Sequence, residues 1–148
     1  MKLILLQGPS NCGKTETFIK LRERLLNDYH GEELCHSENK RDFESVIKCN
    51  GKQIGLFSMG DLKWWINWAV VKYAGVDVLV IAESNHFADS LLNEEEGEFN
   101  LELYYPNHKN EQPPCHKRIP MEKVSTDERD NYEEAKVTEI LDELKKSI

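Results

Sequence analysis

The pattern of apolar positions predicts two buried parallel strands. Residues 2–7 (KLILLQ) and residues 76–82 (VDVLVIA) form short, nearly continuous apolar runs. Such runs are typical of strands that are covered on both faces, because a strand with one solvated face alternates between apolar and polar residues. Residues 99–105 do alternate, with apolar side chains at every second position. They therefore predict a strand at the edge of a sheet.

A second pair of strands is predicted on either side of Asn50 and Gly51. Asn-Gly is the strongest short signal for a two-residue hairpin, because both central residues of a type I′ turn need a positive φ. Segments 43–49 and 52–57 flank this dipeptide and are predicted to be antiparallel strands. The polar segment 31–41 is predicted to be a loop, and so is segment 107–120, which holds three of the five prolines.

Helical spacing of apolar residues predicts helices at both ends of the chain. The first follows residue 13 and has Phe18, Leu21 and Leu25 on one side. The last begins with a capping box, Ser125-x-x-Glu128, and its apolar stripe consists of Val137, Ile140, Leu141, Leu144 and Ile148.

Segment 62–74 contains three tryptophans and is apolar nearly all round. A helix with this pattern is buried on more than one side. Another element or a partner subunit would cover it, so a homodimer is one of the open arrangements. In the alternative interpretation, Trp64 or Trp68 stacks on a base or lines a substrate pocket.

The order of these elements is strand, helix, hairpin, helix, strand, strand, helix, which is typical of an α/β fold. We predict a three-layer α/β/α sandwich around a five-stranded, mostly parallel sheet with one antiparallel hairpin strand. Right-handed crossovers would place helices on both faces. The first strand is predicted to lie between residues 54–57 and residues 76–82.

Length and charge narrow the function. A chain of 148 residues is expected to be one domain. Its formal net charge of −8 disfavours binding to nucleic acid through a broad basic face. No apolar run is long enough to cross a bilayer or to act as a signal peptide, so a cytoplasmic protein is expected. The four cysteines lack zinc-site spacing, although Cys35-His36 and Cys115-His116 could in principle meet at a metal.

The segment between the first strand and the first helix is the strongest functional signal. It reads Gly8, Pro9, Ser10, Asn11, Cys12, Gly13, Lys14, Thr15, which fits the pattern G-x-x-x-x-G-K-[ST]. A glycine-rich turn before a helix directs backbone N–H groups and the positive end of the helix towards one anion. The alternative is an ordinary turn with an exposed lysine.

In this motif the chain resembles the P-loop nucleoside triphosphatase superfamily, which includes small kinases, ATPases and GTPases. The resemblance covers about the first 30 residues. It implies that residues 8–15 bind a nucleoside triphosphate, ATP or another, together with Mg²⁺. It also implies that Lys14 neutralises the β- and γ-phosphates and that the Thr15 hydroxyl ligates the metal.

Acidic residues follow two of the predicted strands. Asp61 is a candidate Mg²⁺ ligand, although it could simply cap the next helix. Glu83 could act as a general base or complete the Mg²⁺ shell, and His86 follows in the same polar segment. In the late loop, Lys117 or Arg118 could supply a cation to a transferring phosphoryl group.

The sequence therefore predicts an ATPase or small-molecule kinase with Lys14, Asp61 and Glu83 as its catalytic residues and Thr15 and Asp61 at the metal. The phosphoryl acceptor is left open. An arginine-rich lid is missing from the sequence. The competing hypothesis is a nucleotide-binding switch with little turnover that acts through a protein partner.

Overall fold

The structure is a computed structural model that describes residues 1–9, 11–38, 43–60, 69, 72–83, 92–93, 98–99 and 117–148. The described residues include eight strands and two complete helices. The strands are β1 (Lys2–Gln7), β2 (Glu32–Glu38), β3 (Phe43–Cys49), β4 (Lys52–Gly60), β5 (Val78–Glu83), β6 (Leu92–Asn93), β7 (Glu98–Phe99) and β8 (Lys117–Pro120). The helices are α1 (Lys14–Asn27) and α2 (Thr126–Lys145).

Six of these strands form one mixed sheet in the order β2-β3-β4-β5-β1-β8. The four strands β4, β5, β1 and β8 are parallel, and β3 is antiparallel to both of its neighbours. The α/β class is thus confirmed. The hairpin between β3 and β4 is also confirmed, with φ of 51° at Asn50 and 78° at Gly51.

The predicted strand count and strand order are wrong. Among the described residues the sheet has six strands rather than five. β2 and β8 lie within segments predicted to be loops, and most of the predicted strand at 99–105 lies outside the described residues. The sequence of β2 shows no apolar periodicity, because β2 is an edge strand whose side chains are almost all exposed. β8 has only four residues and begins with two cations. Strand β1 lies between β5 and β8, not beside β4.

The predicted edge strand at 99–105 lies outside the described residues except at its first position. There, Phe99 pairs with Leu92 in a separate two-stranded sheet, β6-β7. The predicted helix over 62–74 is described only at its end, where Ala69 and Lys72 are helical.

The two described helices pack on the same face of the six-stranded sheet. Alternate residues of the strands, such as Ile4, Leu56 and Val80, form one buried cluster with Phe18 of α1 and Ile140 of α2. Burying this surface removes a large apolar area from water, which is the main favourable term in folding. The apolar stripe predicted for each helix is therefore confirmed as its buried side.

The opposite face of the sheet is also buried. Leu3, Leu79 and Phe57 are fully buried there. Tyr73 covers part of this face, with its ring centroid 6.1 Å from that of Phe57. This burial on both faces explains why the central strands are apolar at nearly every position.

Helix α2 begins where the capping box predicts. Ser125 is the N-cap residue and has the extended backbone of a cap, φ −60° and ψ 153°. Its side chain makes no capping hydrogen bond, so the side-chain part of the prediction is wrong. Asp127 and Glu128 in the first turn still favour this end of the helix dipole.

Candidate functional site

The turn from β1 into α1 has the local backbone that the glycine motif predicts. Gly13 is the N-cap of α1 and has φ 97°, and Asn11 has φ 62°. L-residues rarely adopt this region, glycine enters it freely, and asparagine tolerates it best among the others. Ser10, in the middle of the motif, lies outside the described residues. The described part of the turn therefore leads directly into the free N–H groups of the helix.

Gly8 is required by close packing rather than by its own φ. A Cβ atom at this position would lie 2.7 Å from Cys12 Sγ and 2.7 Å from the carbonyl oxygen of Met121. Met121 follows β8, and its N–H donates a hydrogen bond of 2.6 Å to the carbonyl of Gln7. The end of β8 is thus held directly against the start of the turn.

The side chain of Lys14 folds back over the turn. Its Nζ donates hydrogen bonds of 2.7 Å to the carbonyl oxygens of Gly8 and Pro9, and it lies 3.7 Å from Cys12 Sγ. The only cation of the motif is therefore held within the curve of the turn, beside the positive end of α1. A phosphate oxygen is a stronger acceptor for an ammonium N–H than a neutral carbonyl. An anion that enters the turn would compete for this group.

Thr15 and Thr17 differ in their positions on the first turn of α1. Thr15 is partly buried. Thr17 is fully buried, and its Oγ1 donates a hydrogen bond of 2.7 Å to the carbonyl of Gly13. Thr17 had no predicted role, although a threonine four residues after a turn glycine is well placed for this local bond. The hydrogen bond from Thr17 holds the carbonyl of Gly13 against the first turn of α1.

Of the two candidate carboxylate residues, Asp61 and Glu83, the structure describes only the backbone of Glu83. Asp61 lies outside the described residues. Glu83 ends β5, and its backbone pairs with Gln7 on one side and Gly60 on the other. Gln7, which precedes Gly8, and Gly60, which precedes Asp61, therefore flank the backbone of Glu83 at the carboxyl ends of the parallel strands. This is the edge at which open α/β sheets bind ligands.

The basic residues Lys117 and Arg118 lie in β8 instead of a loop. They pair with Ile4 and Leu5, whereas Pro120 at the end of the strand pairs with Gln7. At about 3.3 Å per residue, their backbones lie roughly 7–10 Å back along the strand from the turn. Their backbones are at the start of β8 and not at its carboxyl end.

One residue close to the turn was missed by the sequence argument. Glu133 of α2 is buried, and a Cβ atom at Gly13 would overlap its Oε2 and lie 3.1 Å from its carboxyl carbon. The available signal was its spacing, because Glu133 lies four residues before Val137 and so continues the apolar stripe of α2 by one turn.

The described residues hold no group of three or more His, Cys, Asp or Glu side chains arranged for a metal ion. Cys35 is exposed on β2, whereas Cys115 and His116 lie outside the described residues. Among the described helices, none is long and apolar enough to cross a membrane.

Comparison with known proteins gives no relative. No protein-family model, no curated protein and no solved structure matches this chain.

Proposed function

We propose that the chain is a single P-loop domain, a three-layer α/β/α sandwich that binds a nucleoside triphosphate with Mg²⁺ at residues 8–15. The observation that carries the proposal is the position of Lys14. Its ammonium is held by the carbonyls of Gly8 and Pro9 at 2.7 Å, directly before the free amides of α1. A cation, a helix N-terminus and a glycine turn with positive φ then converge on one small volume, which suits a polyphosphate.

Each residue of the turn has a distinct part in this proposal. The backbone N–H groups of the turn and of the first turn of α1 donate to the phosphate oxygens. Lys14 supplies charge to the β- and γ-phosphates. Gly13 supplies the positive φ of 97° that the turn needs, and a Cβ atom there would overlap the Glu133 carboxylate.

The residues fit a Mg²⁺ ion in donor chemistry. Mg²⁺ prefers oxygen ligands and keeps several waters, and Thr15 has a hydroxyl while Asp61 and Glu83 have carboxylates. When bound, the ion neutralises charge on the phosphates during phosphoryl transfer. Support for Glu83 comes from its backbone, which pairs with Gln7 immediately before the turn.

The favoured activity is transfer of the γ-phosphoryl group of ATP, either to water or to a small-molecule hydroxyl. In this mechanism Lys14 stabilises negative charge as the bond to the γ-phosphorus breaks, and Asp61 or Glu83 orients the attacking group or the metal's waters. The net charge of −8 argues against a polynucleotide as the second substrate.

A calorimetric titration of the purified protein with ATP and with GTP, each with Mg²⁺, tests the binding. We expect saturable binding of at least one triphosphate with a stoichiometry of about one per chain, as a single phosphate-binding turn requires. The absence of heat and of any thermal stabilisation with either nucleotide would contradict the proposal.

A turnover assay then separates the two kinds of P-loop protein. Release of ADP and phosphate over many cycles, alone or with a panel of nucleosides and sugars, would establish an enzyme. Tight binding without turnover, together with a nucleotide-dependent change in tryptophan fluorescence or oligomeric state, would instead establish a regulatory switch.

A further inference from the structure

The buried carboxylate of Glu133 touches the turn from the side of α2. No Cβ could be added at Gly13 without overlapping this carboxylate, so the side chain packs against the backbone of the N-cap residue itself. Gly13 is thus confined from two directions. Thr17 Oγ1 bonds its carbonyl at 2.7 Å from within α1, and Glu133 lies against its Cα from α2.

Two cations hold the carboxylate in place. Lys20 Nζ lies 3.1 Å from Glu133 Oε1, and Arg129 Nε donates a hydrogen bond of 3.1 Å to Oε2. Burying a carboxylate is costly unless it is paired and hydrogen-bonded. Each oxygen of Glu133 has a cationic partner, so this condition is met.

The same cations extend the network across both helices. Lys20 of α1 also pairs with Asp130 of α2, and Arg129 Nη2 lies 3.6 Å from Glu16 Oε1 in the first turn of α1. Burial alone would lower the pKa of Lys20, but its hydrogen bonds to Asp130 and Glu133 raise that pKa above its ordinary value. Lys20 therefore remains charged across the physiological range.

We propose that Glu133 is a positioning residue for nucleotide binding: it fixes Gly13, so that docking of α2 and binding of the phosphate chain are thermodynamically coupled. The inference depends on the proposed triphosphate site. The carboxylate acts through the backbone of Gly13, whose neighbouring amides must already point at the anion when it arrives. Coupling of this kind is reciprocal, so nucleotide must in turn stabilise the docked helix.

The sign of the effect distinguishes positioning from simple electrostatics. A negative charge beside the turn repels a polyphosphate, so if Glu133 acted only through its charge, Glu133→Gln would tighten binding. If Glu133 acts by position, the same variant weakens binding because the amide loses the charge-assisted bonds to Lys20 and Arg129. Glu133→Asp keeps the charge and draws the carboxylate back from Gly13, so it must also weaken binding.

The matched control lies on the same helix. Glu143 is partly buried, and its Oε1 pairs with Lys2 Nζ at 2.6 Å, far along α2 from the turn. Its contacts to Lys2 and Lys146 outweigh burial and lower its pKa, so Glu143→Gln also removes a favourable ion pair. It does so without touching Gly13.

The test is calorimetric titration of the four proteins with ATP and Mg²⁺, with a thermal unfolding curve for each. We expect Glu133→Gln and Glu133→Asp to raise the Kd by about tenfold, within the usual range of coupling. We expect Glu143→Gln to lower the unfolding temperature with its Kd unchanged. Equal Kd values for parent and Glu133→Gln, or tighter binding by the variant, would overturn the positioning role while leaving the proposed site intact.

A second measurement needs no variant and so does not depend on whether the substituted proteins fold. In the parent, ATP with Mg²⁺ should slow amide hydrogen exchange in α2 around Glu133 as well as in the turn. Slowed exchange in the turn with unchanged exchange in α2 would contradict the coupling. If exchange slows in neither region and no heat of binding is seen, the proposed triphosphate site fails and this inference fails with it.

Discussion

The N–H of Met121 donates a hydrogen bond of 2.6 Å to the carbonyl of Gln7, which joins the end of strand β8 to the residue that leads into the glycine turn. Two segments that are more than a hundred residues apart in the chain thereby share one edge of the sheet. The turn is supported by β8 on one side and by α2 on the other. Its geometry therefore depends on contacts with β8 and α2 as well as on the motif itself.

This contact predicts a cost for adding one carbon atom at Gly8. In Gly8→Ala the new Cβ would meet the Met121 carbonyl and Cys12 Sγ, each at 2.7 Å, and backbone on one side cannot easily yield. We expect a loss of about 1–3 kcal/mol in the free energy of unfolding, as for other overpacked positions. Urea denaturation measures it.

Gly75→Ala is the control for Gly8→Ala, because a Cβ at Gly75 has no atom within 4 Å among the described residues. Its unfolding free energy should stay within about 0.5 kcal/mol of the parent. Equal stability of Gly8→Ala and Gly75→Ala would mean that β8 does not press against the turn.

The ion pair between α1 and β2 predicts a particular pH dependence. Arg22 Nη2 donates a hydrogen bond of 2.7 Å to Glu33 Oε1, and hydrogen bonding by Arg22 lowers the pKa of Glu33 below its ordinary value of 4.5. A carboxyl group with a lowered pKa in the folded state stabilises the protein above the unfolded pKa. That contribution is lost as the pH falls through the lowered value.

Glu33→Gln should therefore unfold more easily than the parent at pH 7, by about 1 kcal/mol because Glu33 keeps some exposure to solvent. The difference between the two proteins should shrink as the pH is lowered below 4.5. Glu139→Gln, where the carboxylate is half exposed to solvent in its pair with Lys136, should show almost no difference at any pH. A difference for Glu33→Gln that persists in acid would rule out this ion pair as its cause.

Burial predicts which cysteines react in the native protein. Cys35 is exposed, whereas Cys12 and Cys49 are buried, and burial raises the pKa of Cys49 above its ordinary value of 9.0. Since the thiolate is the reactive form, Cys49 is protected by both accessibility and protonation.

In a Cys115→Ser background, Ellman's reagent should modify one thiol rapidly and the other two only as the protein unfolds. Denaturant should make all three equally reactive. Rapid modification of two or three thiols without denaturant would contradict the described packing of the turn and of β3.

Much of the central sheet could be predicted from the sequence because a buried strand or helix face needs apolar residues at positions close together in the chain. The apolar runs of β1 and β5, the turn at Asn50 and Gly51, and the stripes of both helices are each set by neighbouring residues. The motif likewise predicts the positive φ of Gly13 and the position of Lys14 at the turn, because both depend only on neighbouring residues.

The remaining features depend on residues that are distant in the chain, so no local sequence pattern predicts them. Strand β2 is polar because it forms an exposed edge, and β8 is a strand only because it pairs with β1. The apolar runs of β1 and β5 have the same pattern, so hydrophobic periodicity could not show which of the two strands lies beside β4. The contact of Glu133 with Gly13 arises only when α2 docks beside α1.

The measurement that tests the central claim most directly compares Lys14→Ala with Lys52→Ala in a calorimetric titration with ATP and Mg²⁺. Lys14 makes its hydrogen bonds to the turn, whereas Lys52 is half exposed and lies 3.8 Å from Asp77 in the β3–β4 region of the sheet. We expect Lys14→Ala to keep its fold, by circular dichroism, and to lose measurable triphosphate binding, while Lys52→Ala binds as the parent does. Equal affinity of the parent and Lys14→Ala would contradict the assignment of residues 8–15 as a phosphate-binding loop.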